Sequence, residues 1–165
     1  MDLFIIYIMG VSGSGKTTIG KQLSQKTGIP FFDADEFHSA VNKEKMKAGI
    51  PLTDDDRAAW LKTLNQLARE QQEKQGAIIA CSALKEKYRK VLSNGITAPV
   101  FLVFLKGSYE LILERMRART DHFMPPAMLS SQFETLEIPA QAIIIDVADS
   151  PEKILTTVIS NLNSR

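Results

Sequence analysis

The 165-residue chain has a single cysteine, Cys81, so no internal disulfide can form, and that scarcity fits a reducing compartment. It also lacks an excess of either charge: 20 Lys and Arg against 19 Asp and Glu leave a net charge of +1. That balance supplies no general field for nucleic acid or an anionic membrane, so any anion must be recognised locally. No apolar run approaches the ~20 residues of a transmembrane helix. The apolar run Leu3 to Met9 is too short for a secretory signal and has no basic segment before it. A cytoplasmic protein is expected, with neither nucleic acid nor membrane as partner. Internal repeats, linkers and low-complexity stretches are missing, and so is the Asn-Lys-x-Asp pattern by which nucleotide switches read guanine. The 44% hydrophobic content suits a single domain over residues 1–165 with one core.

What the chain does have is Gly10-Val11-Ser12-Gly13-Ser14-Gly15-Lys16-Thr17-Thr18, fed by that first apolar run. Gly10, four residues, then Gly15-Lys16-Thr17 is a full phosphate-loop pattern in the required order of strand, loop and helix. Glycines let successive backbone N–H groups curl around a phosphate chain. Lys16 supplies a point charge for the β- and γ-phosphates, Thr17 offers its hydroxyl to Mg²⁺, and the helix N-terminus points at the same phosphates. Residues 10–18 are therefore the expected ATP-binding segment.

The rest alternates strands and helices. Helices are expected over Thr17–Lys26, Glu36–Ala48, from Thr53 or Asp54 to about Gln75, Leu84–Leu92, from Ser108 to about Arg119, Ala127–Thr135, and from Ser150 through Leu162. Strands are expected at Leu3–Met9, Phe31–Asp33, Ala77–Cys81, Val100–Leu105 and Ala142–Ile145, all read as buried. Five buried strands separated by helices mean a parallel, doubly wound sheet: a three-layer α/β/α phosphate-loop NTPase fold with helices on both faces. A polar, proline-ended loop near residues 119–127 reads as a short lid.

In such sheets ligands sit beyond the carboxyl ends of the strands. The second strand ends in Asp33-Ala34-Asp35. Buried in that cleft, Asp35 could accept the proton of an attacking hydroxyl while Asp33 holds Mg²⁺ directly or through water; the alternative is a turn with helix-capping acids. Downstream, Arg57 suits a carboxylate on the acceptor as a guanidinium fork. His38 could contact an acceptor or be a polar helix-surface residue, Asp54 to Asp56 could contact it too or merely complement a helix dipole, and Trp60 reads more readily as core. Lys85 and Arg89 lie four residues apart on one helix face, turned to the cleft or to solvent. Arg115 and Arg119 share another face.

These residues carry a resemblance. Asp33-x-Asp35-x-x-His38-x-x-x-Asn42-x-x-Lys45-Met46-x-x-Gly49-x-Pro51-Leu52-x-Asp54-x-Asp56-Arg57-x-x-Trp60-Leu61 resembles the gluconokinase family, a branch of the shikimate-kinase-like phosphate-loop kinases. So do Cys81-Ser82-Ala83-Leu84-Lys85-x-x-Tyr88-Arg89, Leu105-Lys106-Gly107, Arg119-x-x-His122-Phe123 and Gln132-Phe133-Glu134-Thr135-Leu136-Glu137-x-Pro139. The match runs from about residue 5 to residue 150. It implies phosphorylation of D-gluconate by ATP with Mg²⁺, giving 6-phosphogluconate, in a homodimer. Lys16, Asp35 and Arg119 become the expected catalytic residues, with Arg119 carried to the γ-phosphate by the closing lid. Asp35, His38, Arg57, Arg89 and His122 become the expected gluconate contacts, and Thr17 and Asp33 the metal contacts. The loop from Asp146 to Pro151 lies where relatives hold adenine. Asp121 stands where the family has glycine, and Met124 where it has a second aromatic. A kinase for shikimate or a nucleotide acceptor is the nearest rival. A silent binding module would be expected to lack Lys16 or Asp35.

Overall fold

The computed structural model describes residues 3–119 and 125–164. Strands β1 (Ile5–Met9), β2 (Phe31–Asp33), β3 (Ala77–Ala80), β4 (Val100–Lys106) and β5 (Ile143–Asp146) form one all-parallel sheet in the order β2-β3-β1-β4-β5. Parallel neighbours need long crossovers, so helices α1 (Lys16–Thr27), α2 (Ala40–Lys47), α3 (Asp54–Gln71), α4 (Glu86–Ser93), α5 (Tyr109–Arg117), α6 (Pro126–Thr135) and α7 (Pro151–Asn163) fill the connections.

The central strand shows how an unbroken apolar run serves two layers. Ile6 and Ile8 point to one face, where they meet Ile19 and Leu23 of α1 and Ile154, Leu155, Val158 and Leu162 of α7. Ile5, Tyr7 and Met9 point to the other, against Trp60, Leu61, Leu64 and Ala68 of α3 and Tyr88 and Leu92 of α4. A third cluster of Val11, Leu84, Ile112, Met116 and Leu129 ties the phosphate loop to α5 and α6. The loop is thereby packed from below and from one side, which leaves its other side for a ligand.

Three expectations change. The helix foreseen over residues 36–48 is two pieces, a 3₁₀ turn at Ala34–Phe37 and then α2, because two caps compete for the backbone. The Asp33 side chain accepts from the Asp35 N–H at 3.0 Å, and the Ser39 hydroxyl accepts from the Asn42 N–H at 3.1 Å. The helix foreseen from Leu84 starts at Glu86, since Ala83 sits at φ 46, outside helical space. Finally, the strands are not all buried on both faces: β5 alternates buried and exposed residues, with Ile144 53% exposed at the sheet edge.

Candidate active site

The phosphate loop joins the end of β1 to α1. Gly10, Gly13 and Gly15 have φ of 152°, 79° and 99°. At Gly13 a Cβ would also lie 2.7 Å from the Met116 side chain, so the loop is drawn tightly onto α5. The Lys16 ammonium folds back and donates to the Gly10 and Val11 carbonyls, each at 3.0 Å. Burial pushes its pKa down, and the Asp35 carboxylate opposes that shift more than any other neighbour. The Ser14 hydroxyl is buried and finds no hydrogen-bond partner among the described residues. Inward glycines, a lysine whose hydrogen bonds go to loop carbonyls, and an orphaned hydroxyl form a cradle whose donors suit phosphate oxygens.

At the end of β2, the Thr17 hydroxyl lies 3.4 Å from Asp33 Oδ2 and donates to it. These two hard oxygen ligands beside a phosphate cradle suit Mg²⁺, which takes one or two protein ligands and fills its shell with phosphate oxygens and water. No cluster of three or more His, Cys, Asp or Glu able to hold a metal occurs among the described residues.

Two cavities open here. The larger, about 360 Å³, is lined by Gly13, Thr17, Thr18, Asp33 and Arg119 among others. The smaller, about 100 Å³, is lined by His38, Leu52, Arg57, Trp60, Ser82 and Gln132 among others. Ser12, Lys16, Asp35 and Met46 line both. Asp35 therefore stands at the junction. Its side chain is exposed there rather than buried as expected, because the two cavities meet at an open mouth.

The smaller cavity has a rigid wall. His38 stacks on Trp60 with ring centroids 4.0 Å apart and planes 15° apart, and Trp60 Nε1 donates to the Ala34 carbonyl at 2.7 Å. Trp60 is thus both core and cavity wall. The Asn42 amide nitrogen donates to the Asp56 carbonyl at 2.7 Å and faces His38 Nδ1 at 3.4 Å, which makes Nδ1 the acceptor and places the ring hydrogen on Nε2. Burial, with Arg57 and Lys43 adding to it, pushes the His38 pKa down to about 4. His38 is a neutral hydrogen-bonding group, not the surface residue that its sequence context allowed. Arg57 Nη1 donates to the Leu52 carbonyl at 2.6 Å and to the Tyr88 hydroxyl at 3.1 Å.

Of the expected site residues, the fold gathers Lys16, Thr17, Thr18, Asp33, Asp35, His38, Arg57 and Arg119 around the two cavities. Gly10, Val11 and Ser14 are buried in the loop and its support. Arg89 is not brought there. Its Nη1 donates to the Ala83 and Leu84 carbonyls at 2.7 and 3.2 Å, and it lines a separate cleft with Glu137 and Ile138. Lys85 pairs with Asp54 at 3.2 Å. His122, Asp121, Phe123 and Met124, with most of the expected lid, lie outside the described residues. Arg115 is tied to the loop after β5 through a 2.6 Å bond to the Val147 carbonyl. Two site residues carried no assigned role from sequence: Tyr88, which meets Arg57, and Gln132, whose Oε1 accepts from the Ser12 N–H at 2.7 Å. Both sat inside the family-like blocks, which was their only signal, because partners 31 and 120 residues apart leave no local pattern.

A profile of the shikimate kinase family matches residues 12–163. A probable gluconokinase of Dictyostelium discoideum is 45% identical over 96% of this chain and 86% of its own length. The chain belongs to the gluconokinase family. Another family member, the thermosensitive gluconokinase of Escherichia coli, is 47% identical over 80% of the chain and 71% of that protein. The crystal structure of a gluconokinase from Sinorhizobium meliloti 1021 superposes with a TM-score of 0.88 at 39% identity, covering 97% of this chain and 91% of that one. Beyond the gluconokinases, an APS kinase of Mycobacterium tuberculosis shares the fold at 16% identity and a TM-score of 0.75.

Proposed function

We propose that the chain transfers the γ-phosphoryl group of ATP to the terminal hydroxyl of D-gluconate, giving 6-phospho-D-gluconate and ADP. The observation that carries this reading is the position of Asp35, with Lys16, at the junction of a phosphate-type cavity and a second cavity that holds an arginine and a neutral histidine. The gluconokinase relatives supply the acceptor's identity.

In the reaction the bond from the γ-phosphorus to the bridging oxygen breaks, the bond from that phosphorus to the acceptor oxygen forms, and the hydroxyl proton leaves. Lys16 exchanges the Gly10 and Val11 carbonyls for phosphate oxygens and offsets their charge. Thr17 and Asp33 hold Mg²⁺, which neutralises further charge on the phosphates when bound. Asp35 orients the terminal hydroxyl and takes its proton late, since the transition state is loose. Arg119, which lines the larger cavity, stabilises the charge that develops on the transferring group. Arg57 presents its Nε and Nη2 edge to the carboxylate, and His38 donates from Nε2 to a hydroxyl along the chain. His122, which lies outside the described residues, is the remaining acceptor contact in this reading. A homodimer in the cytoplasm is part of this reading, and no helix among the described residues is long and apolar enough to cross a membrane.

The test is a coupled assay of ADP release against gluconate, other sugar acids, shikimate, adenylyl sulfate and nucleoside monophosphates. Gluconate should give the highest kcat/KM by at least tenfold. A higher value for shikimate or a nucleotide would overturn the assignment.

A further inference from the structure

We propose that Tyr88 is a positioning residue: its hydroxyl stands between Arg57 and Asp54, keeping the guanidinium charge unspent and aimed at the acceptor's carboxylate. This rests on the gluconate reading given above. The hydroxyl has one hydrogen and two neighbours. Asp54 Oδ1 accepts from it, and Arg57 Nη1 donates to it at 3.1 Å. Asp54 is ionised at neutral pH, because bonds from Lys87 and then Tyr88 hold its carboxyl well below the usual carboxylate range. The hydrogen is therefore committed to Asp54, and the oxygen can only accept from Arg57.

The consequence is a spacer. A guanidinium and a carboxylate in contact form a strong two-pronged pair, and one with Asp54 would consume the fork that a substrate carboxylate needs. Here Lys85, on the same Oδ1 as Tyr88, and Lys87, on Oδ2, compensate Asp54, and among the described residues Arg57 makes no ion pair. Both of its hydrogen bonds leave from Nη1, which fixes the plane of the group and leaves the Nε and Nη2 edge for a ligand. The guanidinium carbon also lies 5.3 Å from the Tyr88 ring centre, so the ring limits swing in the other direction. Tyr88 itself is 3% exposed and held in the core, which gives the spacer a firm base.

Tyr88→Phe keeps the ring and deletes the spacer oxygen. The expected result is a KM for gluconate raised about tenfold, with KM for ATP and kcat at saturating gluconate changed less than about twofold. In an Arg57→Leu background the same substitution should add nothing. Unchanged gluconate KM in Tyr88→Phe, equal rises for both substrates, or multiplying effects in the double variant would each overturn the proposal. A second measurement needs no change at Tyr88. In the wild type, guanidinium ¹⁵N resonances of Arg57, assigned with Arg57→Lys, should show slower Nη exchange than those of Arg117. Equal rates would overturn the spacer whatever the kinetics give. If wild-type protein shows no turnover of gluconate, the substrate assignment fails, and the guanidinium spectra then decide the spacer separately.

Discussion

Lys16 spends its charge on two loop carbonyls and contributes little to the core, so its removal should cost activity and not folding. Lys16→Met is expected to retain less than about a tenth of kcat, a loss above ~1.4 kcal/mol, with the thermal midpoint within a few degrees of wild type. Steady-state kinetics beside a calorimetric scan reads both. For Arg57→Leu the expected effect is a rise in gluconate KM far larger than in ATP KM, because a carboxylate loses its fork in a partly dry cavity. Parallel rises would give Arg57 a structural role. His38 makes a separate prediction. Its pKa falls from 6.5 to about 4 on folding, so the unfolded chain binds a proton that the native chain refuses between those values. His38 should therefore cost stability as pH drops from 6.5 towards 4, and nothing above 6.5. A ring resonance titrating near 4 in histidine NMR is the check, and a titration near 6.5 would contradict the stacked, buried geometry. At this scale the sequence was informative where chemistry is local. Lys16 and Thr17 stand in the phosphate-loop motif and Asp33 and Asp35 at the end of a strand, and those local patterns assigned them to the cleft. Arg89 misled, because the spacing of Lys85 and Arg89 says that they share a face but not which way it turns. The carbonyls of Ala83 and Leu84 hold the guanidinium instead.

At the scale of elements, α3 controls the acceptor side, since Arg57 and Trp60 stand in its first two turns. Its start is fixed by a capping box, Thr53 accepting from the Asp56 N–H at 3.1 Å and Asp56 accepting from the Thr53 N–H at 2.9 Å. Asp56 also accepts from Lys45 at 2.9 Å, which ties α2 to α3. Removing the cap by Thr53→Ala should lower the free energy of unfolding by about 1 kcal/mol in a urea titration at neutral pH. The Thr53 N–H first, and Lys45 after it, lower the Asp56 carboxyl to about 2 from its ordinary 3.8. A depressed acid stabilises fully above its unfolded value, so this contribution should fade as pH falls from 3.8 through about 2, and the fading should vanish in Asp56→Asn. The cap of α3 was legible because threonine and three acids announce it within four residues. The break after Phe37 was not, because no proline or glycine marks it and two side-chain caps impose it.

At the scale of the molecule, β1 lies between β3 and β4, and the ends of β1, β2 and β3 deliver the phosphate loop, Asp33 and Ser82 to one edge. That convergence was readable from the alternation of buried strands with helices, which permits few topologies. The sharing of Ser12, Lys16, Asp35 and Met46 by two cavities was not, since it depends on how α2 and α6 settle across the sheet's edge. The proposed roles make one demand on the product: if Arg57 holds the carboxylate in the smaller cavity and Asp35 stands at its junction with the larger, phosphate must arrive at the end of the acceptor remote from the carboxylate. The direct measurement is ³¹P NMR of a reaction of gluconate with ATP and Mg²⁺, with proton correlation to locate the ester. Expected is one new monoester resonance coupled to the C6 methylene protons, matched mole for mole by ADP. An acyl phosphate on C1, an ester at an inner hydroxyl, or orthophosphate alone would contradict the placement of Arg57 and Asp35 at opposite ends of the substrate.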